Sequence, residues 1–112
     1  MRIQIGKATA LGPGKVALLQ AIHDTGSISG AARETGMSYR HAWILVDAMN
    51  AAFTDDLVTT STGGKGGGGA KVTDLGFDVM KRFRTMEKKA AKSVQAEARA
   101  FAELLKDPTG DA

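Results

Sequence analysis

Cysteine is absent from the 112 residues, which excludes a disulfide framework, a thiolate metal site and a cysteine nucleophile. Aromatic residues are scarce, with one Trp, one Tyr and four Phe. No apolar run approaches the roughly 18 residues that span a bilayer, so no membrane partner is expected. The N-terminus lacks the charged-then-apolar pattern of a secretory signal. A cytoplasmic, nucleoid-associated protein is the expectation. Only two histidines occur, His23 and His41. His23 stands beside Asp24 without metal-ligand spacing, and no base–nucleophile set accompanies His41. No paired acids sit at a glycine-rich turn. Nothing here assembles a catalytic site, so neither an enzyme nor a cofactor nor a metal is expected.

What is present suits one small domain. Hydrophobic residues make up 43% of the chain, enough for a core and too many for global disorder. The net charge is +3 and the pI about 9.4. Such mild basicity permits nucleic-acid binding without proving it.

Punctuation along the chain marks the elements. "RIQI", residues 2–5, alternates like a short strand. "LGPG", residues 11–14, reads as a turn, with Pro13 suited to a first helical turn. A helix is expected over residues 15–25, where Val16, Leu19 and Ile22 recur at helical spacing before Gly26. "SISGAARETG", residues 27–36, opens on a Ser N-cap and closes on a glycine. Ser38 caps a third helix, residues 39–53, with Ala42, Val46, Met49 and Phe53 on one stripe. A short helix, a tight turn at Gly36 and a longer helix form the order of a helix-turn-helix. Ala31 and Ala32 let the two helices approach closely. Ile28 and Val46 then flank that contact.

Residues 61–73, "STGGKGGGGAKVT", hold six glycines in thirteen residues. A phosphate-binding P-loop needs Lys followed by Ser or Thr at the start of a helix. Here Lys65 is followed by four glycines and a strand-like run, so that reading fails. A linker would join two units that each fold alone, and the flanking pieces are too small. "LVTT" (57–60) and "AKVT" (70–73) around the glycines read instead as a β-hairpin. Directly after a helix-turn-helix, such a hairpin is the wing of a winged helix. The competing reading is a surface loop that touches nothing. In the wing, Gly64 and Gly66 let backbone N–H groups approach phosphates, and Lys65 and Lys71 add charge.

A helix of roughly thirty residues is expected from Asp74 onward, capped by Thr73 and ending before Pro108. Gly76 is a weak point in it. The expected organisation is a DNA-binding winged helix-turn-helix over residues 1–73, a long dimerisation helix over 74–107 and a disordered tail over 108–112. The fold class is mainly α with a small β-hairpin. Val79, Phe83, Met86, Ala90, Val94 and Phe101 mark the apolar face proposed as the dimer seam. Residues 81–92, "KRFRTMEKKAAK", carry six positive charges and one negative. This run reads as a solvated helix face, or as a surface for a membrane or a partner.

Taken together, "GSIS", "AA", "G-S-Y", "AW", "TGGKGGGGA" and "T-x-x-G" resemble the N-terminal domain of ModE-type molybdate-responsive transcription regulators. The broader pattern resembles the DNA-binding domain of LysR-type regulators. The resemblance runs from about residue 13 to about residue 86, and "TGGKGGGG", residues 62–69, is its most specific part. It implies a winged helix, a homodimer joined partly through the C-terminal helix, and sequence-specific binding to double-stranded DNA at an inverted repeat. Full-length members carry C-terminal domains that bind molybdate. This chain stops at Ala112, so no molybdate is expected to be bound by it.

With Ala42, Val46 and Met49 turned inward, Arg40, Ile44 and Asp47 fall on the opposite face of the third helix. Arg40 is the first choice for a base contact, because its guanidinium can pair with guanine. A solvated arginine is the plain alternative. Tyr39 and His41 share its turn and reach bases or phosphates. Ser38 can donate to a phosphate while capping. Ser27 and Ser29 touch the DNA backbone or simply cap, and Arg33 faces phosphate or solvent. Trp43 reads as packing against a neighbouring helix rather than stacking on a base. A different class of function, a protein-interaction subunit on the same fold, stays open from sequence.

Overall fold

The computed structural model describes residues 3–4, 10–62 and 68–106. Two two-residue strands, β1 (Ile3–Gln4) and β2 (Ala10–Leu11), pair antiparallel, with Ile3 opposite Leu11. β2 is a departure from the sequence reading, which placed Leu11 in a turn. A strand of two residues is too short to display alternation. The other two residues of "RIQI", Arg2 and Ile5, lie outside the described residues.

Helix α1 (Pro13–Thr25) begins at Pro13, two residues earlier than expected. Proline suits this place because the first helical N–H has no intrahelical partner to lose. Gly26 stops the helix at φ 73°, and its N–H bonds the Ile22 carbonyl at 2.8 Å. A residue with a Cβ is strained at such a φ. Helix α2 (Ile28–Thr35) starts at once, its Ser27 Oγ accepting the Gly30 N–H at 2.9 Å. Gly36 ends it, again in the left-handed region. Helix α3 (Tyr39–Ala52) is capped by Ser38, whose Oγ accepts the His41 N–H at 3.0 Å.

Strands β3 (Val58–Ser61) and β4 (Gly69–Val72) form the expected antiparallel hairpin, with Val58 opposite Val72 and Ser61 opposite Gly69. Two ties fix its base to the helices. The Ala70 N–H donates to the Gly26 carbonyl at 2.8 Å. The Asn50 side chain of α3 donates to the Val58 carbonyl and accepts from the Leu57 and Val58 N–H groups, at 3.0, 2.8 and 3.1 Å. The hairpin therefore stands in a fixed place beside the helix-turn-helix.

One core joins these elements. Leu18, Leu19 and Ile22 of α1, Ala31 of α2, Ala42, Val46 and Met49 of α3, and Leu57 and Val58 meet in it. Helix α4 (Asp74–Ser93) adds Val79, Met80 and Phe83. This corrects the expected dimer seam. Val79 is only 7% exposed and Phe83 only 1%, so both are covered by their own chain and leave no face for a partner. The same stripe emerges from the core further on. Met86, Val94 and Phe101 are exposed, and Ala90 is half-buried.

The single long helix is corrected as well. It breaks at Val94 (φ −108°, ψ 14°), and a separate helix α5 (Gln95–Ala102) follows with no buried residue. Ser93 Oγ donates to the Ala90 carbonyl at 2.8 Å. A serine bonded to the backbone in this way competes with the helical ladder. β-Branched Val94 follows it, and such residues are less favourable in helices. The tail at 108–112 lies outside the described residues.

Candidate nucleic-acid interface

Ser27 and Ser38 are each used once as acceptors, in the caps of α2 and α3. A serine hydroxyl that accepts an N–H keeps its own O–H to donate. Both helices start without an acidic residue in the first turn, whereas α4 has Asp74 there. The positive ends of the α2 and α3 dipoles are therefore uncompensated, which favours an anion at both.

A cleft of about 580 Å³ lies between these helix starts and the hairpin. Ser27, Ser29, Tyr39 and Trp43 form one wall, and Thr60, Ser61, Thr62 and Gly68 the other. The Tyr39 and Trp43 rings meet edge to face, with centroids 6.3 Å apart. Tyr39 is exposed beyond that contact. Trp43 is half-buried and packs on the core as expected, yet one side of it borders the cleft.

Arg40, His41 and Ile44 lie exposed along the outer side of α3. Ala42, Val46 and Met49, turned into the core, fix that orientation. A large aliphatic side chain such as Ile44 in open solvent suits an apolar contact with a thymine methyl. Lys71 is exposed on β4, opposite Thr59. It borders a second cleft with His23 and Phe77 rather than the one that holds Tyr39. Ser27, Ser29 and Tyr39 are thus brought together, and Lys71 stands apart from them. Gly64, Lys65 and Gly66 lie outside the described residues.

Sequence reasoning missed two contributions. Thr60, Ser61 and Thr62 line the cleft; the run "TTST" beside a hairpin tip was the available signal. Asn50 acts as the clamp between α3 and the hairpin. An asparagine inside an apolar helix end is a poor helix former, and that was its signal.

A family model described as bacterial regulatory helix-turn-helix protein, lysR family, matches residues 14–76, more than half of the chain. The chain belongs to this family. The matched region of the lysR-family domain runs from the start of α1 through the hairpin to the first turn of α4. Among curated proteins, it is similar to the molybdenum-pterin-binding protein MopB of Rhodobacter capsulatus, at 48% identity over 82 residues, which is 73% of this chain and 30% of MopB. Transcriptional regulator ModE of Yersinia pestis is 38% identical over 96 residues, 83% of this chain and 36% of ModE. The lysR-family domain thus spans about a third of the length of these relatives. Among solved structures, full-length LTTR LysG from Corynebacterium glutamicum with bound effector Arg matches at a TM-score of 0.57 and 23% identity, over 84% of this chain and 30% of that one. That likeness is one of fold, the winged helix-turn-helix expected from the sequence.

Proposed function

We propose that this chain is the DNA-reading part of a dimeric transcription regulator acting in the cytoplasm. Helix α3 enters the major groove with Arg40 on a base edge and Ile44 on a thymine methyl. Ser27, Ser29, Ser38, Tyr39 and His41 hold the flanking phosphates. The hairpin with Lys65 and Lys71 follows the strand backbone. The observation that carries this reading is the pair of uncompensated helix N-termini facing one hydroxyl-lined cleft, beside an exposed Arg40. Arg40 makes no ion pair or hydrogen bond among the described residues.

Pairing of two copies rests on the exposed continuation of the α4 stripe. Met86 in α4, Val94 at the break, and Phe101 and Leu105 beyond it are all more than a third exposed, and large apolar side chains left exposed in such number mark interfaces. Two-fold pairing then calls for an inverted-repeat operator, with half-sites one helical turn of DNA apart or a multiple. Relatives carry names that refer to molybdenum. This chain is not proposed to bind molybdate, because the cleft offers hydroxyls and backbone groups on an open surface rather than a closed set of converging donors. Titration calorimetry showing micromolar, molybdate-selective binding overturns that part.

Selection of bound duplexes from a random library tests the whole reading. Enrichment of an inverted repeat is expected. Tight binding of an acidic protein with no enriched duplex overturns it.

A further inference from the structure

Lys81, Arg84, Lys88 and Lys92 of α4 recur every three or four residues, so they stand in one row along the helix. Buried Val79 and Phe83 hold the opposite side of α4 against the core, so the row faces outward. Lys81, Arg84 and Lys88 border a groove of about 540 Å³ between α1 and α4, with His23, Phe77 and Met80 also lining it. Two contacts set its walls. Arg84 Nη2 donates to Gln20 Oε1 at 2.9 Å, and the His23 ring packs edge-on against Phe77 with centroids 5.0 Å apart.

Few carboxylates oppose this row. Asp78 is paired with Arg82 at 3.0 Å. Asp24 accepts from Gln20 Nε2 at 2.9 Å on the α1 side, and Asp74 sits back in the first turn of α4. Glu87 flanks the row, about 60° round the helix from Arg84 and about 120° from Lys81 at roughly 100° per residue.

The groove adjoins a cleft that in turn adjoins the interface described above. His23 and Phe77 line both it and the cleft of about 690 Å³ that contains Lys71. Thr60, Ser61 and Gly69 line both that cleft and the one at the starts of α2 and α3. The cationic row, the hairpin cleft and the cleft at the starts of α2 and α3 are thus neighbours in turn on one small domain.

We propose that this row and groove take the backbone phosphates of duplex flanking the recognised site. The inference rests on the DNA-reading function above and adds a second, sequence-independent contact. Cations spaced about 4.5–6 Å along a helix axis suit a polymer with regularly repeated charge; duplex DNA carries one per about 1.7 Å of its axis. A small oxyanion needs donors that converge on one point, and these are strung along a line. An acidic peptide would meet the same charges, but a duplex held at α3, as proposed above, brings a regular polyanion to the same small domain.

The test uses the full chain, a duplex selected from a random library and trimmed to its bound minimum, and the same duplex extended by about one helical turn on each side (roughly 10.5 base pairs). Extension is expected to tighten binding and steepen the dependence of log affinity on log salt. The K81Q/K88Q variant should lose about 1.8 of that slope on the extended duplex, at about 0.9 per phosphate contact, and bind the trimmed duplex unchanged. Both positions are exposed, and thermal melting checks that the variant stays folded. No gain on extension, or an equal loss on both duplexes, overturns the flanking contact while the DNA-reading function stands. Binding of poly-glutamate that K81Q/K88Q abolishes, with no effect of extension, overturns it in favour of an acidic protein. Failure of the unmodified chain to bind any selected duplex overturns both readings.

Discussion

Replacing Gly76 by alanine sets helix propensity against packing. Gly76 lies in the first turn of α4 and is buried. In an exposed helix interior, glycine to alanine stabilises by about 1 kcal/mol. Here an added Cβ would stand 2.5 Å from the Leu57 carbonyl oxygen and 2.6 Å from Val72 Cγ1. Leu57 cannot yield easily. Its side chain is fully buried, its N–H is held by Asn50 at 2.8 Å, and its carbonyl accepts the Thr73 N–H at 2.9 Å. Overpacking of this kind costs about 1–3 kcal/mol, and disturbing the Thr73–Leu57 bond adds about 1 kcal/mol. Set against the propensity gain, the net loss is about 1–3 kcal/mol. That corresponds to a fall in Tm of roughly 5–20 °C for a domain of this size. Gly14 in α1 is the matched control, since nothing lies within 4 Å of its added Cβ. Gly14→Ala should stabilise by about 0.5–1 kcal/mol. Both variants are measured by thermal and urea melts followed by circular dichroism. If Gly76→Ala stabilises as Gly14→Ala does, α4 does not press on Leu57 as described.

Arg40→Ala should cost about 1–3 kcal/mol on a selected site and relax preference at one position of each half-site; equal loss on random DNA in filter binding would reduce Arg40 to a phosphate contact. Asn50→Ala removes three hydrogen bonds to the hairpin base and should destabilise by about 3 kcal/mol at roughly 1 kcal/mol each. Asn50→Asp keeps both acceptor bonds but sets a carboxylate oxygen against the Val58 carbonyl, so it should also destabilise in the same urea melts. Phe83→Ala should destabilise each copy by about 3–5 kcal/mol, whereas Phe101→Asp should shift sedimentation toward monomer and remove the concentration dependence of Tm that a dimer shows. Lys71→Gln should lower the salt slope of DNA binding by about 0.9, read by fluorescence anisotropy at several salt concentrations.

Much of the fold was legible because its punctuation is local. Ser27, Gly26, Ser38 and Gly36 act within one turn of themselves, so their residue types alone announce where α1 stops, where α2 starts and stops, and where α3 starts. The stripe Ala42, Val46, Met49 likewise fixes which side of α3 is free. The α4 stripe misled for a different reason. Periodicity shows that one face is apolar, but it does not show whether the same chain or another covers it. Val79 and Phe83 meet their own core, and only from Met86 onward is the stripe uncovered. The break at Val94 was hidden because Ser93 and Val94 are each tolerated in helices. Gly76 seemed a weakness in sequence, because its reason is a carbonyl nineteen positions earlier, on Leu57. The cleft itself was half visible: the serines were named, while the hydroxyls of Thr60, Ser61 and Thr62 entered only once the hairpin was placed beside α2.

Helix α5 has eight residues and none is buried. Isolated helices shorter than about 12–15 residues are marginal in water, so this segment cannot hold its shape by itself. In the proposed dimer its order comes from the copy lying across Val94 and Phe101. At high dilution residues 95–102 should exchange their amide hydrogens quickly and be cut first by a protease. When two copies are brought side by side on one stretch of DNA, the same amides should slow. In the proposed dimer the exchange rate of this segment would report pairing without any label.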